Sequence, residues 1–291
     1  MNREVMMKKN KNVMKKQGKR YRYQLLYTPG KTMSDVEIQE LVSHLRDVAS
    51  TAFDTLPDYQ VLRGTRKELE DKVIAIAWRQ DGTMAGFCST VILSVDGVGD
   101  VLHLGLTVVR PEDRRHGLTH ILTSRAVKGY LLRHKPLVGK VWISNCAAVL
   151  SSLVNVAMHF EHVYPSPFVK KQKKVMDKYM NIARTIDEKY RDKIYIMDHA
   201  HFDEKSFVFR GSVKGTVFQK DGADSRYYHR NLYLNDYYLN QMNFNEGDEV
   251  LQIGYASTFA AIKHMWNRSV QKMPFMKIMQ QQSLIQDKKA G

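Results

Sequence analysis

The stretch LTVVRPEDRRHGLTHIL, residues 106–122, constrains the fold more than any other part of the chain. An apolar run typical of a buried β-strand ends at Arg110-Pro111, and a helical pattern begins directly after Gly117. Glycine has no Cβ, so a bound group can approach its backbone closely. The first N–H groups of the following helix have no partner within that helix. The segment therefore predicts a phosphate-binding turn between a strand and a helix.

The elements around this segment alternate between strand and helix periodicity. A helix is predicted over 34–54, with Ser34 and Glu37 spaced as a capping box. Asp81-Gly82 separates two β-rich runs, which predicts a hairpin. These runs are 73–80 and 84–95, followed by a strand at 101–110, a helix at 118–134, a strand at 140–149 and a helix at 151–160. This order predicts an α/β (α+β) fold, with a mixed central sheet and flanking helices.

The composition and patterning of the sequence change after Pro167. A charged helix is expected from about 169 to 191, then an aromatic-rich stretch at 226–244 and a strand at 247–257. We therefore expect a C-terminal α/β extension. The predicted organisation is a basic flexible arm (1–22), an α/β domain (23–165), the extension (166–277) and a polar tail (278–291).

The chain is strongly basic, and its charge is concentrated in three places. The 45 Lys and Arg residues exceed the 30 Asp and Glu residues by 15. Residues 1–22 hold nine of the basic residues and one acid, which suits either a solubilising tail or an arm for nucleic acid or a membrane surface. The other two groups are Lys170, Lys171, Lys173 and Lys174, and the turn residues Arg110, Arg114, Arg115 and His116. Only the turn has a position that indicates chemistry, because it adjoins a helix N-terminus.

Several classes of protein are excluded by composition and motif. No apolar run approaches 18 residues, so no transmembrane helix is expected. The two cysteines, Cys88 and Cys146, lie in apolar runs and cannot build a disulfide framework, which favours a reduced, cytoplasmic protein. No Walker loop, nucleophile elbow or paired zinc signature occurs.

Two further patterns have alternative interpretations. His199 and His201, with Asp198 and Asp203 nearby, could share one face of a strand, but no further ligand pair follows, so we expect no metal. The tyrosine-rich stretch 226–244 fits a core element or a pocket wall, and alternatively a surface for single-stranded nucleic acid.

The turn in this chain resembles the acetyl-CoA loop of the GCN5-related N-acetyltransferases. That loop reads Arg/Gln-x-x-Gly-x-Gly/Ala between the family's fourth strand and third helix. The matching residues here are Arg114, Arg115, His116, Gly117, Leu118 and Thr119, with threonine where the family usually has Gly or Ala. The order of elements is also similar to the family's, and the resemblance covers about residues 21–165.

The resemblance implies that those six residues bind the pyrophosphate of a CoA thioester. It also implies that the preceding strand parts from its neighbour, so that Leu106, Thr107, Val108 and Val109 pair with the pantetheine like an added strand. The strand at 140–146 would supply the other wall, with Asn145 near the pantetheine or the thioester.

The resemblance also suggests candidate catalytic residues. His103, on the strand that enters the gap, has a side chain suited to general-base chemistry. The family often has a tyrosine acid seven residues after the position of Asn145, which is Ser152 in this chain. Tyr164 is the nearest tyrosine downstream.

The sequence thus predicts an N-acyltransferase. Acetyl-CoA or a longer acyl-CoA, or alternatively an acyl carrier protein, would donate an acyl group to an amine-bearing acceptor, either a small molecule or a protein. The extension after residue 166 would shape the acceptor or acyl pocket. The alternative is a non-catalytic protein that binds nucleic acid or an anionic surface through its basic arm.

Overall fold

A computed structural model describes residues 20–134, 139–169 and 173–258, with the side chains of all of these except 173–175. Most of the predicted arm at 1–22, the pair Lys170 and Lys171, and the tail at 278–291 lie outside the described residues.

In this part of the chain, nine strands form a single sheet in the order β1-β2-β3-β4-β5-β9-β8-β7, with β6 paired to β9. The strands are β1 (Arg22–Tyr27), β2 (Lys72–Trp78), β3 (Met84–Val95), β4 (Gly99–Val109), β5 (Lys140–Ala147), β6 (Glu161–Tyr164), β7 (His201–Asp203), β8 (Val208–Arg210) and β9 (Glu249–Ser257). Only β4 and β5 pair in parallel among these strands, and the other pairs are antiparallel. The mixed sheet confirms the predicted fold class.

Helices cover both faces of the sheet. The longer ones are α1 (Asp35–Ala49), α2 (Leu118–His134), α3 (Leu150–His159), α4 (Lys173–Lys189) and α5 (Leu232–Leu239). Short helical turns lie at Pro29–Thr32, Gln60–Arg63, Lys67–Leu69, Pro111–Asp113, Arg191–Ile194 and Ser225–Tyr227. One face packs against α2, and the opposite face packs against α1 and α4, so each face of the sheet contributes to a hydrophobic core.

Local signals in the sequence account for the element boundaries. The predicted capping box forms: Ser34 Oγ accepts from the Glu37 N–H, and a Glu37 carboxylate oxygen accepts from the Ser34 N–H at 2.7 Å. The predicted hairpin is also present, because β2 and β3 pair antiparallel across Asp81-Gly82.

The sheet continues across the boundary expected near residue 166. β9 lies between β5 and β8, and it also pairs with β6. Residues 166–248 are therefore inserted between two paired strands, rather than appended after a finished domain. The physical reason is that β9 completes the ladder of β5, which would otherwise carry an unpaired edge.

The two parallel strands separate partway along their length. Pairing between β4 and β5 runs from Val101 opposite Trp142 to Leu104 opposite Asn145. Beyond this point β4 continues along β3, and β5 continues along β9. The register between β3 and β4 also shifts near Gly105 and Leu106, which makes a β-bulge. A gap in the sheet therefore begins beside a bulged strand.

Candidate active site

A cavity of about 840 Å³ lies where β4 and β5 separate. Its walls include residues from the ends of both strands, Leu104–Thr107 on β4 and Asn145–Ala147 on β5. On one face of the sheet it is bounded by α2 and α3, and on the other face by Tyr59, Tyr195 and Phe218. The cavity therefore extends to both faces of the sheet.

The predicted phosphate turn lies at one end of this cavity. Gly117 has a φ of +70°, a conformation that favours glycine, and a Cβ at this position would meet nothing within 4 Å. Gly117 and Thr119 line the cavity. The turn thus presents open backbone at the beginning of α2, where the unpaired N–H groups of the helix lie.

The other residues of the turn have different surroundings. Leu118 is buried in the core beneath α2. Arg114 donates from Nε to the Val109 carbonyl at 3.2 Å, and Arg115 and His116 are exposed beside it. Arg110 forms an ion pair with Asp47 on α1 and donates to the Met84 carbonyl, so its guanidinium serves the fold.

The β4 residues predicted to pair with pantetheine divide into two groups. Leu106 and Thr107 line the cavity. Val108 and Val109 are buried in opposite cores and pair with Phe87 and Gly86 on β3. Their side chains therefore stabilise the strand. Only their backbone N–H and C=O groups could pair with a pantetheine arm.

Asn145 is held by a buried network of amides. Its Nδ2 donates to Gln252 Oε1 at 3.1 Å. The Gln252 side chain in turn donates to the Leu153 carbonyl at 3.0 Å and to the Tyr238 hydroxyl at 2.6 Å. This network links β5, β9, α3 and α5 behind the cavity, so Asn145 has a defined orientation there.

His103 is poorly suited to the predicted role of general base. It lines the cavity but is only 2% exposed, and its Nδ1 lies 3.0 Å from Ser144 Oγ. Burial, and to a lesser extent the charge of Lys72, lowers the pKa of His103 to about 3. An imidazole with so low a pKa is neutral at pH 7, and it has little affinity for a proton released by an amine.

The two hydroxyl candidates for the acid lie in different environments. Ser152 on α3 lines the cavity. Tyr164 is 4% exposed on β6 and packs edge-on against Phe207, with ring centroids 4.9 Å apart. Tyr164 belongs to the core on the α4 side of the sheet and is not among the residues that line the cavity. Its predicted role is therefore not supported by its position.

Glu249 is a cavity residue that the sequence did not indicate. It begins β9, is 9% exposed, and accepts a hydrogen bond from Ser212 Oγ at 2.6 Å. Burial raises the pKa of Glu249 to about 7, although the Ser212 hydroxyl and the Cys146 thiol partly oppose the shift. A carboxyl group poised near neutrality beside a cavity is a candidate general base. The available signal was the pair of acids Asp248 and Glu249 at the start of the predicted strand.

Tyr59 is the second residue that was missed. It is 5% exposed, lines the cavity, and its hydroxyl lies against the bulge of β4. Burial and the charge of Glu249 raise the pKa of Tyr59, so the phenol stays protonated. The backbone of Leu106 lies near this hydroxyl and partly lowers the pKa of Tyr59. Tyr59 stands in a loop after Pro57, where nothing in the sequence indicates which strand it approaches.

The two alternative patterns have different surroundings in the structure. His199 Nε2 lies 3.0 Å from the Gly211 carbonyl, and no group of three or more His, Cys, Asp or Glu is arranged to hold a metal there. In the tyrosine-rich stretch, Leu234 and Tyr238 are core residues. No helix in the described part of the chain has the length and apolarity needed to cross a membrane.

Comparisons with known proteins give matches at the level of solved structures only. No protein-family model and no curated protein matches the chain. A CoA complex of the aminoglycoside N-acetyltransferase AAC(6')-Iy is 18% identical, with a TM-score of 0.37, and the match covers 54% of this chain and 98% of that one. Escherichia coli ElaA is 16% identical over 50% of this chain and 93% of its own, with a TM-score of 0.34.

A third match is the GCN5-related glucosamine N-acetyltransferase region of a fungal multi-domain GH3 β-N-acetylglucosaminidase. It is 14% identical with a TM-score of 0.28, and it covers 43% of this chain and only 13% of the fungal chain. The similarity to these proteins is thus partial and extends over about half of this chain.

Proposed function

We propose that this protein is an N-acyltransferase that moves an acyl group from an acyl-CoA thioester to an amine. The observation that carries the proposal is the separation of β4 from β5 beyond Leu104 and Asn145, beside a bulge and within one cavity. Strands that part in this way leave backbone groups available for an extended ligand such as pantetheine.

The turn at the beginning of α2 suits the phosphates of the same ligand. The open backbone of Gly117 and the N–H groups of the first helical turn would bind them, and Arg114, Arg115 and His116 would add positive charge from the exposed side. Leu106 and Thr107 would pair with the pantetheine, and Asn145 would form the opposite wall. An acyl carrier protein would present the same pantetheine arm, and acyl-CoA and acyl carrier protein can be compared as donors in one assay.

The reaction requires a neutral amine, an oxyanion donor and a proton for the thiolate. Glu249 is assigned as the group that accepts the ammonium proton, because its pKa of about 7 lets it hold a proton transiently at neutral pH. The amine nitrogen then attacks the thioester carbon and a C–N bond forms. The nitrogen loses its second proton to solvent water, and the C–S bond breaks. The Leu106 N–H at the bulge would stabilise the oxyanion.

Tyr59 is assigned to the departing sulfur. Its hydroxyl keeps its proton at neutral pH, because burial and the charge of Glu249 raise the pKa of Tyr59, and this is the proton that it can donate. The thiolate takes that proton from Tyr59. Glu249 then gives the proton that it accepted from the ammonium to the phenolate of Tyr59. In this scheme Tyr59 takes the part that the family resemblance would place at Ser152.

The experiment is a calorimetric titration of the full chain with acetyl-CoA, combined with an assay for amine-dependent release of CoA. Gly117→Val is compared with Gly97→Val, since both glycines have a φ near +70° and open space at the Cβ position. We expect Gly117→Val to weaken acetyl-CoA binding by about tenfold or more and Gly97→Val to leave it unchanged. Normal binding by Gly117→Val, or no binding by the parent protein, would overturn the proposal.

A further inference from the structure

Resting on the proposed function, we infer that the acceptor is a primary monoamine with a flat apolar body, bound among Tyr59, Tyr195 and Phe218 with its nitrogen toward Glu249. The four residues line one end of the cavity.

Three aromatic rings form the wall of this end. The centroids of Tyr195 and Phe218 are 4.8 Å apart, those of Tyr59 and Tyr195 are 5.9 Å apart, and those of Tyr59 and Phe218 are 6.2 Å apart. Tyr195 and Phe218 are only partly buried. Apolar ring surface that faces a cavity is covered best by a flat apolar ligand, and ring faces also attract an ammonium group.

The backbone of Tyr195 supports a functional role for its ring. Tyr195 closes the helical turn Arg191–Ile194 with a φ of +65° and a ψ of +41°, in the left-handed region. A bulky side chain is uncommon in this conformation, which glycine adopts without strain. A strained residue at a cavity is a reason to look for a function of its side chain. Here that function is to place a ring beside Phe218 and Tyr59.

The charges around the cavity favour an acceptor with one ammonium group. Within the described part of the chain, the lining has two acidic residues, Glu161 and Glu249, and two lysines, Lys128 and Lys220. Glu161 accepts from the Ser257 N–H at 2.8 Å and lies on β6, away from the aromatic wall. An acceptor with several ammonium groups would find only one carboxylate, Glu249, at the aromatic wall. Its remaining positive charges would lack a partner and would be repelled by Lys220.

Two of the three rings of this subsite come from the insertion at 166–248. It supplies Tyr195, Phe218 and Lys220, whereas the proposed thioester site is built from α2, β4 and β5. Specificity for the acceptor is therefore separable by mutation from binding of the donor.

The test uses the full chain with saturating acetyl-CoA and measures CoA release with 2-phenylethylamine, methylamine and neamine. We expect kcat/KM for 2-phenylethylamine to exceed the values for both other amines by about tenfold or more. Tyr195→Gly, which keeps the backbone conformation, should raise KM for 2-phenylethylamine by about tenfold and leave KM for acetyl-CoA unchanged. Phe218→Leu provides a second variant with the same expectation as Tyr195→Gly.

The outcomes separate this inference from the proposed function. Equal rates with all three amines, or a preference for neamine, would overturn the inference while acetyl-CoA binding and CoA release stand. An unchanged KM for 2-phenylethylamine in both Tyr195→Gly and Phe218→Leu would also overturn it. Failure of the parent protein to bind acetyl-CoA would instead overturn the proposed function.

Discussion

The hydroxyl of Tyr59 occupies the place that a side chain at position 105 would take. A Cβ added to Gly105 would lie 2.7 Å from Tyr59 Oη and 2.9 Å from the Ser89 carbonyl oxygen. The absence of a side chain at Gly105 is thus what lets a phenol from a distant loop reach the bulge of β4, beside the Leu106 N–H.

Replacing Gly105 should therefore lower the catalytic rate by more than the loss of folded protein accounts for. Gly105→Ala displaces the Tyr59 hydroxyl, and we expect kcat per folded molecule to fall by about tenfold or more. Gly86→Ala is the matched control, because its Cβ would be equally crowded, 2.7 Å from the Val108 carbonyl, and Tyr59 is not among its nearest neighbours. Both variants should lower the free energy of unfolding by about 1–3 kcal/mol. Equal kcat values after correction for the folded fraction would contradict the role of Tyr59.

The activity should depend on the ionisation of Glu249. A general base acts only when deprotonated, so kcat/KM should rise with pH and level off above about 7. In Glu249→Gln the rising limb should disappear, and kcat/KM should fall by about a hundredfold or more. Glu161→Gln removes the other acidic residue of the cavity lining and should keep the pH profile of the parent protein. A profile that persists in Glu249→Gln would reject the assignment.

The same carboxyl group should destabilise the fold at high pH. Burial raises the pKa of Glu249 from 4.5 to about 7, so the folded state binds more protons than the unfolded state between these two values. The free energy of unfolding therefore falls as pH rises through this window, by up to about 3 kcal/mol from this group. Glu249→Gln should be more stable than the parent protein at pH 8 and similar to it at pH 4.5. Urea unfolding at the two pH values measures the difference, and a variant less stable at pH 8 would contradict it.

The turn before Gly117 should depend on Asp113. This residue is 4% exposed, accepts from the Tyr21 hydroxyl at 2.7 Å and accepts from Arg79 Nε at 2.9 Å. Asp113→Ala leaves both donors without this acceptor, so we expect a loss of about 2 kcal/mol in unfolding free energy and weaker acetyl-CoA binding.

Glu112→Ala is the control for this prediction. Glu112 is exposed and shares the Arg79 guanidinium, with which it forms an ion pair at 2.6 Å. An exposed pair of this kind contributes less than about 1 kcal/mol. Urea unfolding measures the stability of the two variants, and calorimetry measures their binding of acetyl-CoA. Both quantities should fall more in Asp113→Ala than in Glu112→Ala. Equal effects would show that the turn does not rely on Asp113.

Local features of the site were predictable from the sequence, and long-range ones were not. The turn at Gly117 was recognisable because a strand, a glycine and a helix start follow one another directly. His103 was chosen because histidine is the usual general base, but its environment depends on β5 and on Lys72, which lowers its pKa further. Tyr164 was chosen by its place in the chain, and the packing against Phe207 shows that its ring belongs to the core.

The sequence by itself determined the elements: the capped helix after Ser34, the hairpin at Asp81-Gly82, and the strand, turn and helix around Gly117. Each of these elements depends on contacts between residues close in the chain. Such contacts can be predicted from hydrophobic periodicity and from the residues found in turns. The tertiary structure alone decided that β9 inserts beside β5 and brings Glu249 to the gap, and that Gly105 admits Tyr59. These contacts join distant segments, and they are selected by which apolar faces and strand edges can be buried together.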